Sequence, residues 1–198
     1  MKKHNGIILK TYFPKKRKIA VLDNIQGKIE LVPQHENVCI GILISYRPEQ
    51  KGNIYFAHEL ELLSLPEGWN YDDLLFFHHI IELCYYFIPF ESHVPGIFDL
   101  LQLLYRVDGL KNFSYSFKLL FVFKLFVRMG IYPEDRSLLT PYFYNLALEP
   151  IDTHESNFLD LTVEKDISAW IRLCIAQHPY AHILKTVHFL DNDRMSSL

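Results

Sequence analysis

The sequence predicts an α+β protein in which a small N-terminal β-barrel precedes an all-helical region. Three observations carry this. Residues 6–65 hold five short β-rich segments with turn signals every 8 to 12 residues. After Pro66 the chain changes to longer stretches punctuated by Pro and Gly. Finally, the 198 residues are 49% hydrophobic and 15% aromatic with a formal net charge of −3, too apolar and too nearly neutral for a disordered chain.

The strands are justified in order. Residues 6–12, GIILKTY, are short and β-rich, and residues 18–24, KIAVLDN, follow a loop over 13–16. Residues 24–27 are a turn signal in which Gly27 supplies a positive φ. KIELVP at 28–33 alternates, with Ile29 and Leu31 on one face and Lys28 and Glu30 on the other. CIGILISYR at 39–47 is nearly continuous in apolar residues, as a buried strand would be. A polar turn at 48–53 with Gly52 leads into IYFAHELELLSL at 54–65. Five strands in so short a span favour an OB-type barrel over a sandwich, bounded at residues 1–66.

The helices follow over residues 67–198. Residues 71–88 lack Gly and Pro, and carry Asp72 and Asp73 in the first turn, where carboxylates suit the helix dipole; Pro89 ends the run. Residues 96–107 start beside Pro95 and stop before Gly109. Ser114 or Ser116 opens a third helix and Gly130 closes it. Pro133 and Pro141 bracket a loop. Residues 161–177 read as a helix capped by Asp160 or Thr162 and stopped by Pro179, residues 181–190 as a short last helix, and residues 191–198 as a frayed tail.

Several function classes are excluded or disfavoured. No apolar run reaches the roughly 18 residues of a membrane span, and residues 113–131, which carry Lys118, Lys124 and Arg128, read as a buried amphipathic helix. The first residues do not form a signal peptide, because the apolar segment at 7–9 is followed at once by Lys10. Cys39, Cys84 and Cys174 lie at least 45 residues apart in apolar surroundings, which predicts buried inert thiols, no disulfide framework and no zinc site. His78 and Glu82 are spaced i,i+4 beside His79, but the segment is apolar and reads as helix surface or satisfied core. No nucleophile elbow, phosphate-binding loop or dinucleotide fingerprint occurs, so the expectation is a non-enzyme without cofactor in the cytoplasm.

Charge is uneven. Residues 1–65 hold ten basic and six acidic side chains; residues 131–198 hold five and ten. Lys15, Lys16, Arg17 and Lys18, with Lys10, Lys28, Lys2 and Lys3, form the best nucleic-acid candidate, in a loop that OB folds commonly use. Tyr12 and Phe13 adjoin it and have the chemistry to stack on bases. The other reading leaves the lysines solvated and the two rings filling the barrel mouth.

The order of these segments resembles the RecO family of bacterial recombination mediators. Gly6 to Thr11 is similar to the G-[IV]-V-L-K-T-like strand that opens the family's OB fold, and Gln26 to Ile29 resembles its H-G-K-I turn. Pro95 to Leu101 is close to P-x-x-[LI]-F-x-L-L, and Phe117 to Pro133 resembles F-x-x-x-L-L-x-x-x-G-x-x-P. The likeness is colinear over about residues 6–135. It implies a DNA repair and recombination mediator that binds single- and double-stranded DNA, promotes annealing, and docks RecR and the acidic-hydrophobic tail of the single-strand-binding protein SSB, in association with the nucleoid. For the tail, Lys124 and Arg128 share a helix face near Leu120, Phe121 and Leu125; the other reading is a snorkelling pair at the core edge. Two departures stand out. The family's basic loop after the third strand is here Pro33-Gln34-His35-Glu36-Asn37, and its four-cysteine zinc site is missing, since residues 131–198 hold only Cys174. These departures and the acidic last third leave an alternative, a protein-interaction adaptor of the same fold that has lost DNA binding.

Overall fold

Alternating side chains close the first part of the chain on itself. Strands β1 (His4–Thr11), β2 (Ile19–Asp23), β3 (Gly27–Pro33), β4 (Leu43–Lys51) and β5 (Ile54–Ser64) form a closed barrel in the order β1-β2-β3-β5-β4. β1 pairs with both β2 and β4, β3 runs parallel to β5, and the other ladders are antiparallel. The barrel is OB-like. The computed structural model describes residues 2–34, 38–66, 68–106, 113–132, 141–151, 159–184 and 190.

One face of each strand fills the barrel: Ile8, Ile19, Val21, Ile29, Leu31, Ile44, Tyr46 and Ala57 meet inside. The alternate residues Ile7, Leu9, Ala20, Leu22 and Lys28 are also buried. β1 and β2 are therefore covered on both sides, which is why their sequences read as apolar runs, whereas β3 carries Lys28 and Glu30 on its second face. β4 begins later than the expected 39–47 and keeps the polar tail Arg47-Pro48-Glu49-Gln50-Lys51. Main-chain pairing with β5 as far as Lys51 opposite Ile54 holds that tail in the ladder, and its apolarity is not required.

Five helices follow: α1 (Tyr71–Phe87), α2 (Ile97–Tyr105), α3 (Tyr115–Met129), α4 (Pro141–Leu148) and α5 (Leu161–Ala176). Asn70 caps α1 by accepting from the Asp73 amide at 2.8 Å. Ser114 caps α3 through the Phe117 amide, Gly130 closes it, and Asp160 caps α5 through the Thr162 amide, all at expected positions. α4 was not foreseen: Pro141, the expected end of a loop, opens a helix, since proline fits a first turn. Residues 181–184 form turns in place of the expected helix start. Gly109, Pro133, residues 35–37 of the polar loop, residues 185–189 and the tail lie outside the described residues. Among the described residues, no helix is long and apolar enough to cross a membrane.

The chain divides into two compact units at places other than the expected 66/67 boundary. One holds residues 1–67 with 77–106; the other holds 68–76 with 107–198. The later part of α1 and α2 are tied to the barrel by Lys28 on the Tyr85 and Ile88 carbonyls, by the Tyr12–Tyr85 hydroxyl contact and by the Tyr105 hydroxyl on the Gly41 carbonyl, while β1 and β2 also bury the second-face residues Ile7, Leu9, Ala20 and Leu22. In the other unit, α3 buries ten residues and packs on α4 and α5, with Trp170 set edge-on to Phe123 at 5.1 Å. Lys118 there pairs with buried Asp73 at 2.7 Å.

Candidate nucleic-acid interface

The β1–β2 loop starts at Tyr12 and returns at Lys18. Two main-chain bonds tie it, Tyr12 N–H to Lys18 O at 3.2 Å and Lys16 N–H to Tyr12 O at 3.1 Å. Lys15, Lys16 and Arg17 are exposed at its tip. Lys18 is half-committed, because its ammonium pairs with Glu30 at 2.9 Å.

The aromatic residues beside the loop divide. Phe13 is partly buried and packs on the barrel's core cluster. Tyr12 is half-buried with its hydroxyl 3.1 Å from the Tyr85 hydroxyl. Burial, and then the Tyr85 hydrogen bond, push the Tyr12 phenol well above its ordinary range, so it stays neutral.

Lys10 is held among rings. Its ammonium lies 4.4 Å from the Tyr85 centroid, 5.8 Å from Tyr86 and 6.0 Å from Tyr12. Tyr85 and Tyr86 meet edge to face at 5.0 Å, and Phe90 stands 6.4 Å from Tyr85. This patch of Tyr12, Tyr85, Tyr86 and Phe90 around a cation was missed from the sequence. Its signal was the run Tyr85-Tyr86-Phe87 near a helix end, but nothing in the sequence joins it to Lys10.

Lys28 is a correction. It is 3% exposed, and its ammonium donates to the Tyr85 carbonyl and, at 2.7 Å, to the Ile88 carbonyl. It is spent on the end of α1 and is not available to a phosphate. Burial lowers its pKa to about 8, with Cys84 opposing and Lys10 adding to the shift. The main chain of β3 is engaged too: Lys28 N–H donates to Ser92 O, and Glu91 N–H to Lys28 O. The chain's own segment after α1 thus occupies, at Lys28, the edge of β3 that faces away from β2.

The expected docking site on α3 is corrected as well. Lys124 is 1% exposed and donates to the Leu146 carbonyl and, at 2.6 Å, to the Glu149 carbonyl. Leu120 and Leu125 are core residues. Only Arg128 of that set is exposed. The helix is too thoroughly buried for i,i+4 spacing to mark a surface.

The remaining candidates resolve simply. His79 is buried and burial lowers its pKa to about 3, so it is neutral at ordinary pH; His78 is exposed and Glu82 half-buried. Cys84 and Cys174 are buried as expected, and burial raises each thiol to about 12, but Cys39 is exposed. Among the described residues, no three His, Cys, Asp or Glu side chains converge as a metal site would require.

No protein-family model matches the chain, and no curated protein matches it in sequence.

Proposed function

We propose that this protein is a RecO-like mediator of DNA repair and recombination that holds DNA on the β1–β2 loop of its barrel, promotes annealing and works with RecR and SSB. The observation that carries the proposal is the exposed trio Lys15, Lys16 and Arg17 at a loop that OB barrels use for strands. Barrel topology and the colinear resemblance support it. The docking of SSB and RecR rests on the resemblance alone, now without the α3 site.

Replacing the three residues together (Lys15→Ala, Lys16→Ala, Arg17→Ala) tests it. Each cation withdrawn from a phosphate lowers the slope of log affinity against log salt by about 0.7 on single strands. The expected outcome is weaker binding with a slope flatter by about 2. An unchanged slope sends the DNA to another surface.

The occupied outer edge of β3 favours a second reading, an adaptor of the same fold without DNA binding. Wild-type protein that binds no oligonucleotide at low salt decides for the adaptor.

A further inference from the structure

We propose that the aromatic patch at the end of α1 takes the bases of a single strand, with Phe90 as its outermost stacking face; this deepens the DNA-binding reading and rests on it. The outer side of β3 at Lys28 is already engaged by residues 85–92. A strand arriving at the basic loop therefore meets what lies on that cover. Phe90 is 42% exposed, and its ring is held in place 4.2 Å from the buried Lys28 ammonium. Tyr85 and Tyr86 continue the patch toward Tyr12 and the loop, and Lys10 sits among them as a cation for the backbone.

This is the composition that single-strand binders use, π-faces for bases interleaved with cations for phosphates. The residues converge from β1 and from the chain around residues 85–90, and Tyr12, which leads into the basic loop, is bonded to Tyr85. Base faces are hidden inside a duplex and open on a single strand. The patch therefore selects single strands, while the loop charges act on either form.

The experiment measures binding of wild type, Phe90→Ala and Phe90→Leu to three probes: an oligo-dT, an abasic strand of equal length, and a duplex. Leucine keeps apolar bulk against Lys28 but loses the π-face and its contact with the Lys28 ammonium, so unchanged abasic-strand and duplex binding and an unchanged melting temperature are the folding controls for both variants. Expected is about a tenfold weakening on oligo-dT, equal to about 1.4 kcal/mol, with the abasic strand, the duplex and the salt slope unchanged. Phe90→Trp should restore oligo-dT binding. If Phe90→Leu binds oligo-dT as wild type does, or loses the abasic strand equally, the stacking role is overturned while DNA binding stands. If wild type binds none of the three probes, both fall.

Discussion

Two lysines that look alike in the sequence and sit in different units do the same job. Lys28 donates to the carbonyls of Tyr85 and Ile88 at the end of α1; Lys124 donates to those of Leu146 and Glu149 at the end of α4. Helix ends leave carbonyls without partners, and a buried cation satisfies two of them while meeting the negative end of the helix dipole. Removing Lys28 with Lys28→Met leaves these acceptors unpaired and is expected to destabilise by about 2 kcal/mol in urea unfolding. Its pKa of about 8, against about 10.4 in an unfolded chain, sets the pH dependence. Below pH 8 the unfolded and folded states are both protonated and the burial cost is fully present. Between pH 8 and 10.4 the unfolded state binds more protons, so this group's contribution rises with pH. Above pH 9 the buried thiol of Cys84, raised to about 12, opposes it. The urea midpoint of wild type is thus expected to rise from pH 7.5 to 9, and that of Lys28→Met to rise less. The positive charge of these residues was legible in the sequence. Their burial was not, because the acceptors lie 57 and 22 residues away along the chain.

At the scale of elements, local chemistry was informative where the cause is local. The Ser114 and Asp160 caps and the Gly130 terminus depend on residues within one turn. Gly27 was legible as a positive-φ turn position and has φ 77°. Its second role was not legible: the Ser92 carbonyl oxygen stands where a Cβ would go. Gly27→Ala is therefore expected to cost roughly 2 kcal/mol or more, combining left-handed backbone strain with displacement of that carbonyl. Gly52 makes the control, since it has φ 60° with nothing within 4 Å of a Cβ. Gly52→Ala should cost only about 1 kcal/mol of backbone strain. Equal costs for the two, measured by chemical denaturation, would reject the close-approach argument. The polar tail of β4 and the proline-led α4 escaped sequence reasoning for related reasons. Main-chain ladders do not need apolar side chains, and proline signals a helix start as well as a break.

For the whole molecule, metal is the clearest prediction. The three cysteines cannot assemble the four-thiolate site of the resembled family, so untagged protein should carry no stoichiometric zinc, and chelation should leave its melting temperature unchanged. One zinc per chain by elemental analysis would overturn this. What the sequence alone determined is the succession of a small five-stranded barrel and then helices, because period-2 and longer apolar patterns are written in consecutive residues. It also marked the basic loop at 15–17, whose clustered charges are best solvated at a surface. Only the tertiary structure decided which candidates remain surface. It buried Lys28 and Lys124, packed Phe13 against the barrel core, brought residues 77–106 into the barrel's unit, and raised the patch of Tyr85, Tyr86 and Phe90 beside Lys10. The physical reason is that exposure depends on which faces find partners, and β1 and β2 bear two apolar faces, of which the barrel interior satisfies only one.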